Sequence, residues 1–197
     1  MMESKPKHVY FIGIGGIGMS AIARWYKFKG CDVGGYDRTP SELTGQLISE
    51  GIAVHYDDDP SRIPADIAST LVIYTPAIPE SLRELQFVKE HGYRVVKRSM
   101  ALGEITRDQI CLAVSGTHGK TTTSTLVAHI LTESGEGCSA FLGGISKNYG
   151  TNLLMSGNSI VVAEADEFDR SFLQLPPDIA AITAMDADHL DIFGDLE

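Results

Sequence analysis

The sequence has few of the cysteines that mark disulfide-rich and zinc-binding proteins. Its 197 residues include three, Cys31, Cys111 and Cys138, which lie far apart and form no CxxC pair. Small secreted domains and structural zinc sites both use closely spaced cysteines. Neither class is therefore indicated, and we expect a protein of the reducing cytoplasm.

Long apolar runs and an excess of basic residues are also missing. Lys5 and Lys7 precede an apolar stretch, as in a signal peptide, but glycines between Gly13 and Gly18 interrupt it. No segment is long enough to span a membrane. Sixteen Lys and Arg against 26 Asp and Glu give a formal charge of -10, which opposes broad binding to nucleic acid or to a membrane surface. An anionic ligand must therefore be held locally, as backbone amides at the start of a helix can do.

The first half of the chain alternates strand and helix patterns. Apolar residues make up 43% of the sequence and charged residues 21%, which is ordinary for a folded protein, and the length suggests two modest domains. Short apolar runs alternate with segments of helical periodicity, which indicates an α/β fold with a parallel sheet. We predict strands at 8–12, 31–37 and 70–74, and helices at 17–28, 41–50 and 80–91.

The pattern restarts after residue 107, where we predict a domain boundary. A Rossmann-like domain would occupy 1–107 and a P-loop ATPase-type α/β domain 108–197. In the second domain we expect a helix at 119–134 with Leu126, Val127, Ile130 and Leu131 on its apolar face, and strands at 110–114, 138–142, 159–163 and 179–183. The chain stops after a strand and a polar turn, so we expect this domain to be incomplete.

The first glycine cluster lies between the first predicted strand and helix. Residues 13–18 fit GxGxxG, and Asp37 ends the second predicted strand, as in dinucleotide-binding domains. The ligand could be NAD or another nucleotide diphosphate. Alternatively, the glycines only allow helix and strand to pack closely, and Asp37 only caps the next helix. The candidate binding residues are Gly15, Gly16, Ile17, Gly18 and Asp37.

A second glycine loop has the setting of a phosphate-binding loop. Its amides would cradle phosphates, Lys120 would reach the β and γ oxygens, and the Thr121 hydroxyl would ligate Mg²⁺. The loop departs from GxxxxGK[ST], because Val114 occupies the first glycine position. The alternative is a helix start with an exposed lysine. The candidate ATP-binding residues are Gly116, Thr117, His118, Gly119, Lys120, Thr121 and Thr122; His118 is given no chemical role.

Acidic residues follow two predicted strands of the second half. Glu164 comes directly after the strand at 159–163, and His189 lies in an acidic segment after the strand at 179–183. Carboxyl ends of parallel strands share one edge of a sheet, so these side chains could hold Mg²⁺ beside the phosphate loop, with His189 as a secondary ligand. The alternative is two solvated turns. Asp166, Glu167 and Asp169 are individually ambiguous.

Together these motifs resemble the Mur ligases, the ATP-dependent amino-acid ligases of peptidoglycan synthesis. The resemblance extends along the whole chain and rests on FIGIGGIGMSAIA at 11–23, GYD at 35–37, TPAIP at 75–79, SGTHGKTTT at 115–123, GG at 143–144, EADEFDRSFL at 164–173 and DADHLD at 186–191.

The resemblance implies ligation of L-alanine to the carboxylate of UDP-N-acetylmuramic acid through an acyl phosphate. It implies that the first glycine loop and Asp37 hold the UDP end, so that NAD is not expected. It also implies that Lys120 contacts the ATP phosphates and that Thr121, Glu164 and His189 surround Mg²⁺. The muramoyl end would lie near Gly143, Gly144 and Asp166. A family member is longer, so we expect residues 1–197 alone to bind the UDP-sugar weakly or moderately and to ligate nothing.

Three alternatives remain open at this point. A murein-peptide recycling ligase shares the GTHGKTT motif. A nicotinamide-dependent oxidoreductase would use only the first glycine loop, and a non-catalytic nucleotide sensor would bind ATP without turnover.

Overall fold

The computed structural model describes residues 5–165 and 172–186, and its contacts divide the chain into two compact units. The division falls between Arg98 and Ser99. The predicted boundary at residue 107 lies nine residues further along the chain, and independent folding of the two parts stays a prediction. Each unit is described by itself.

The first unit is a five-stranded sheet with helices on its faces. The strand order is β3-β2-β1-β4-β5, and every pair is parallel. Its elements are β1 (His8–Ile12), α1 (Ile17–Phe28), β2 (Asp32–Tyr36), α2 (Glu42–Ser49), β3 (Ala53–His55), β4 (Thr70–Tyr74), α3 (Arg83–Glu90) and β5 (Arg94–Lys97). The central strand β1 pairs with β2 and β4, which explains its nearly continuous burial.

The side chains of β1 alternate between the two faces of this sheet. Tyr10 and Ile12 belong to a buried cluster with Leu85 and Val88 of α3. Burying each such apolar side chain stabilises the fold by roughly 1.5–3 kcal/mol relative to exposure. The first unit therefore has a core of its own.

One buried carboxyl group interrupts that core. Glu84, at the start of α3, is fully buried; its carboxyl group lies 2.8 Å from the Tyr10 hydroxyl and accepts a hydrogen bond from the Asp59 amide at 3.0 Å. The Tyr10 oxygen also lies 2.7 Å from Nε2 of His55. Burial raises the pKa of Glu84 to about 7 and lowers the pKa of His55.

The second unit contains a sheet of order β10-β6-β9-β7-β8. Its elements are α4 (Arg98–Thr106), which starts at the division, β6 (Ile110–Ser115), α5 (Lys120–Glu133), β7 (Ser139–Ser146), β8 (Thr151–Leu154), β9 (Ile160–Glu164) and β10 (Ile179–Ile182). The strands β10, β6, β9 and β7 pair in parallel, whereas β8 is antiparallel to β7. The sequence predicted a parallel sheet and did not predict this antiparallel edge strand.

Each predicted strand and helix has a counterpart, but several elements were not predicted. The strands β3, β5 and β8 are short and the helix α4 has no clear amphipathic pattern, so their sequences give weak signals.

The predicted apolar face of α5 is partly wrong. Leu126 and Ile130 are 55% and 58% exposed, and the helix buries Ser124 and Ala128 instead. Small residues allow α5 to approach the sheet closely, which directs the larger side chains of its other face outward.

Two sequence expectations concern the whole chain. All three cysteines are buried and unpaired with one another. Within the described residues, no helix combines the length and apolarity needed to cross a bilayer.

Candidate active site

The second glycine loop connects β6 to α5, and its glycines allow two backbone conformations that other residues avoid. Gly116 has φ of 123° and Gly119 has φ of 83°. A Cβ on Gly116 would also lie within 3.0 Å of Thr183 and Ala184. Gly119 is the N-cap of α5 and offers no side-chain cap, and the first turn of α5 has no acidic residue. This helix start therefore suits an anionic ligand.

Lys120 is the first residue of α5. Its ammonium group donates a hydrogen bond to the carbonyl oxygen of Gly116 at 2.7 Å, so the side chain folds back over the loop. A lysine in this position brings a positive charge to the place where the loop would hold phosphate oxygens.

Glu164 ends β9 and its carboxylate points toward the start of α5. It accepts hydrogen bonds from the Ser124 hydroxyl at 2.8 Å, the Gly143 amide at 2.7 Å and the Thr121 hydroxyl at 3.1 Å. Three donors from two segments, α5 and β7, therefore fix the position of this carboxylate. The sequence did not predict the contribution of Ser124, which lies one helical turn after Thr121 on the buried face.

Gly143 and Gly144 border the same carboxylate. A Cβ on Gly143 would lie within 3.0 Å of both Glu164 and Thr121, and a Cβ on Gly144 would lie 3.4 Å from the methyl group of Thr121. The structure thus brings together four residues predicted for this site, Thr121, Gly143, Gly144 and Glu164. The other two, Asp166 and His189, lie outside the described residues.

The oxygen donors at this position fit Mg²⁺. This ion prefers hard oxygen ligands and usually keeps several waters, so it needs only one or two protein groups together with phosphate oxygens. The adjacent Thr121 hydroxyl and Glu164 carboxylate supply such groups. Residues 5–165 and 172–186 contain no cluster of three or more His, Cys, Asp or Glu side chains arranged for a metal.

The segment that follows β10 runs alongside the glycine loop. The Thr117 amide donates to the Ala184 carbonyl at 2.9 Å, and the Asp186 amide donates to the Thr117 hydroxyl at 2.8 Å. The side chain of His118 lies 3.5 Å from that of Asp186, and both are exposed. The polar groups of Thr117 are thus bonded to residues 184 and 186, a contact that the loop motif alone does not predict.

The first glycine loop lies at the carboxyl ends of β1 and β2. The amides of Gly13 and Ile14 donate to the Tyr36 carbonyl, and the Gly15 amide donates to the Asp37 carboxylate at 2.7 Å. A Cβ on Gly15 would lie within 3.0 Å of Asp37. The Asp37 carboxylate is therefore hydrogen-bonded to the glycine loop and lies against it.

The alternative that Asp37 caps the following helix is wrong. The N-cap of α2 is Ser41, whose hydroxyl accepts from the Thr44 amide, while Thr44 accepts from the Ser41 amide. This reciprocal capping box satisfies the helix start without Asp37.

Gly16, Ile17 and Gly18 form the start of α1, and Gly16 provides no side-chain cap. The Arg98 guanidinium occupies the space next to Gly18, where a Cβ would lie within 3.0 Å of it. Thr75 and Ile78, from the predicted TPAIP motif, pack against Gly13 in the same way. Sequence reasoning missed Arg98, because a single arginine 80 residues from the loop gives no pattern.

The comparisons with known proteins agree over nearly the whole chain. Residues 8–110 match the Mur ligase family, catalytic domain, and residues 114–197 match the Mur ligase middle domain. UDP-N-acetylmuramate--L-alanine ligase of Flavobacterium psychrophilum is 60% identical over 190 residues, which cover 95% of this chain and 42% of that protein.

Two solved structures have the same fold. UDP-N-acetylmuramate-alanine ligase of Thermotoga maritima has a TM-score of 0.87 and 33% identity, covering 96% of this chain and 44% of that one. The Neisseria UDP-N-acetylmuramate:L-alanyl-gamma-D-glutamyl-meso-diaminopimelate ligase has a TM-score of 0.88 and 27% identity. The match covers 97% of this chain and 64% of that one. The chain spans about two fifths of the length of the curated relatives that it matches. With both of its halves matched, the chain belongs to the Mur ligase family.

Proposed function

We propose that this chain is the part of an ATP-dependent ligase that binds UDP-N-acetylmuramic acid and ATP, and that the whole protein joins L-alanine to the muramoyl carboxylate. The observation that carries the proposal is the convergence of Thr121 and Glu164 beside the phosphate loop. The 60% identity to an alanine-adding relative supports the choice of amino acid. Both substrates and the buried, reduced cysteines suit the cytoplasm.

The chemistry requires an activated carboxylate. An amine does not displace oxide from a carboxylate, and the negative charge repels the nucleophile. Transfer of the γ-phosphoryl group of ATP to the carboxylate gives an acyl phosphate, and the L-alanine amine then displaces phosphate. Catalysis of phosphoryl transfer is mostly positioning and electrostatic stabilisation.

The described residues have separate parts in this scheme. The loop amides and Lys120 would hold the phosphates and stabilise the charge on the transferred group. Thr121 and Glu164, with His189, would hold Mg²⁺, which neutralises phosphate charge when bound. The muramoyl end would lie near Gly143 and Gly144, whose lack of a Cβ allows Glu164 and Thr121 to approach them closely. In the first unit, the Gly15–Gly18 loop with Asp37 would hold the UDP end.

The test is a ligation assay on the full-length protein. Incubation with ATP, Mg²⁺, UDP-N-acetylmuramic acid and a panel of amino acids should yield product, ADP and phosphate with L-alanine as the best acceptor. Lys120→Ala should lower kcat by at least about a hundredfold, because an electrostatic contact to the transferred group is lost. The matched change Lys89→Ala, at an exposed lysine of α3, is the control and should leave kcat unchanged.

Other outcomes would favour the alternatives. A murein-peptide ligase would accept L-alanyl-γ-D-glutamyl-meso-diaminopimelate in preference to L-alanine. The 27% identity to such a ligase, against 60% to an alanine ligase, does not favour that reading. Tight NADH binding without a response to UDP-sugar would support an oxidoreductase, and ATP binding without turnover in the full-length protein would support a sensor.

A further inference from the structure

The threonine after β10 contacts the phosphate loop in a way that no sequence motif indicates. The Thr183 hydroxyl lies 2.5 Å from the carbonyl oxygen of His118 and 3.1 Å from that of Ser115. The Ser115 carbonyl already accepts the Thr183 amide at 2.9 Å, which continues the pairing of β10 with β6. A hydroxyl has one proton to donate, so the shorter contact assigns it to His118.

This hydrogen bond determines which way the next amide points. In a planar trans peptide the carbonyl and the N–H project in opposite directions. Because the His118 carbonyl is held toward Thr183, the Gly119 N–H is directed away from Thr183. The Ser115 carbonyl is held toward the same residue, so the Gly116 N–H is directed away from it as well.

Because of the two glycines, the orientation of these peptides depends on a hydrogen-bond partner outside the loop. Gly116 and Gly119 both have positive φ, and glycine has no Cβ to restrict rotation of the adjoining peptides. A peptide between flexible residues could rotate and turn its carbonyl toward a bound anion, which would repel it. A fixed bond to the carbonyl prevents that rotation.

We propose that Thr183 is a positioning residue of the phosphate loop, whose hydroxyl holds the His118 carbonyl so that the Gly119 amide faces the ATP phosphates. The proposal deepens the proposed function and rests on the loop binding ATP. Thr117 supports the same arrangement, since its amide and hydroxyl bond to residues 184 and 186. The segment 183–186 thus contacts the loop at several points.

The test uses the full-length protein and a pair of matched substitutions. Thr183→Val removes the hydroxyl and keeps the shape, whereas Thr183→Ser keeps the hydroxyl. Thr132→Val is the control, because Thr132 also donates its hydroxyl to a backbone carbonyl, that of Ala128, within α5 and away from the loop. Thr183→Ala is measured alongside, in case the valine variant does not fold.

We expect Thr183→Val and Thr183→Ala to raise the dissociation constant and the KM for ATP about tenfold, as loss of one well-placed hydrogen bond would. The KM for UDP-N-acetylmuramic acid should change less than twofold. Thr183→Ser and Thr132→Val should bind ATP within twofold of the unsubstituted protein. A merely structural role of Thr183 would lower thermal stability without this selective change in ATP affinity.

The proposal is overturned if the valine and alanine variants bind ATP within twofold of the unsubstituted protein, or if Thr183→Ser loses as much affinity as Thr183→Val. It is also overturned if Thr132→Val gives the same loss. Direct ATP titration separates this result from the ligation assay: a protein that binds ATP but forms no product contradicts the proposed function, while the titration still decides the role of Thr183.

Discussion

Glu84 and its neighbours must share a proton, and this requirement predicts how the stability of the first unit changes with pH. Nδ1 of His55 lies 2.9 Å from the Asp57 carbonyl and must carry a hydrogen there. The Tyr10 hydroxyl lies between Glu84 and Nε2 of His55 but has one proton. One of those two neighbours must therefore donate to Tyr10. Because burial raises the pKa of Glu84 and lowers that of His55, we assign the proton to Glu84.

The sign and size of the effect follow from the pKa of Glu84. Folding raises it from 4.5 to about 7, so between these values the folded state keeps a proton that the unfolded chain has released. The stabilisation is fully present below pH 4.5 and is lost as pH rises to about 7. At about 1.4 kcal/mol per unit, the total loss is about 3 kcal/mol. His55 acts in the opposite direction, since its lowered pKa destabilises the fold as pH falls below 6.5.

Replacing Glu84 by Gln isolates its contribution from that of His55. The Gln amide can donate to Tyr10 and accept from the Asp59 amide, as the protonated acid does, but it does not titrate. We expect the free energy of unfolding of Glu84→Gln, minus that of the unsubstituted protein, to rise by about 2–3 kcal/mol between pH 5 and pH 8.

Urea unfolding followed by tryptophan fluorescence measures this difference. Trp25, the only tryptophan in the sequence, lies in α1 and reports on the first unit. Glu90→Gln is the control, because Glu90 is exposed at the other end of the same helix, α3. Parallel pH profiles for Glu84→Gln and the unsubstituted protein would refute the assignment of the proton to Glu84.

Two further substitutions test the glycines of the two loops in the full-length protein. Gly143→Ala would force Glu164 and Thr121 apart, so the Mg²⁺ concentration for half-maximal activity should rise about tenfold or more; an unchanged Mg²⁺ dependence would contradict the assigned ligands. Gly15→Ala would displace the Asp37 carboxylate and should weaken UDP-N-acetylmuramic acid binding about tenfold, measured by calorimetry. Its ATP affinity should stay within twofold, and an equal loss for both ligands would indicate misfolding instead of a local effect.

Strong local patterns made much of the fold predictable. The run at His8–Ile12 is buried on both faces in the centre of a parallel sheet, where strands are apolar throughout. The two glycine loops were also predictable, because each follows such a strand and precedes a helix in the sequence. In contrast, β5 has the sequence RVVK, in which charged ends hide the short apolar centre.

The face that α5 buries could not be predicted from hydrophobicity. Leu126 and Ile130 are exposed while Ser124 is buried, because the Ser124 hydroxyl bonds to the Glu164 carboxylate at the end of a neighbouring strand. That partner lies 40 residues away along the chain, so the periodicity of the helix contains no information about it.

The sequence by itself indicated the phosphate loop, because the loop's requirements are local. Gly116 and Gly119 allow the positive φ that the loop needs, and the lysine follows directly. Only the tertiary structure decided which distant groups meet them. Pairing of β10 with β6 places Thr183 against the phosphate loop, and pairing of β6 with β9 brings Glu164 to Thr121. Strand order sets these contacts, and strand order depends on how separate segments of the chain pack together.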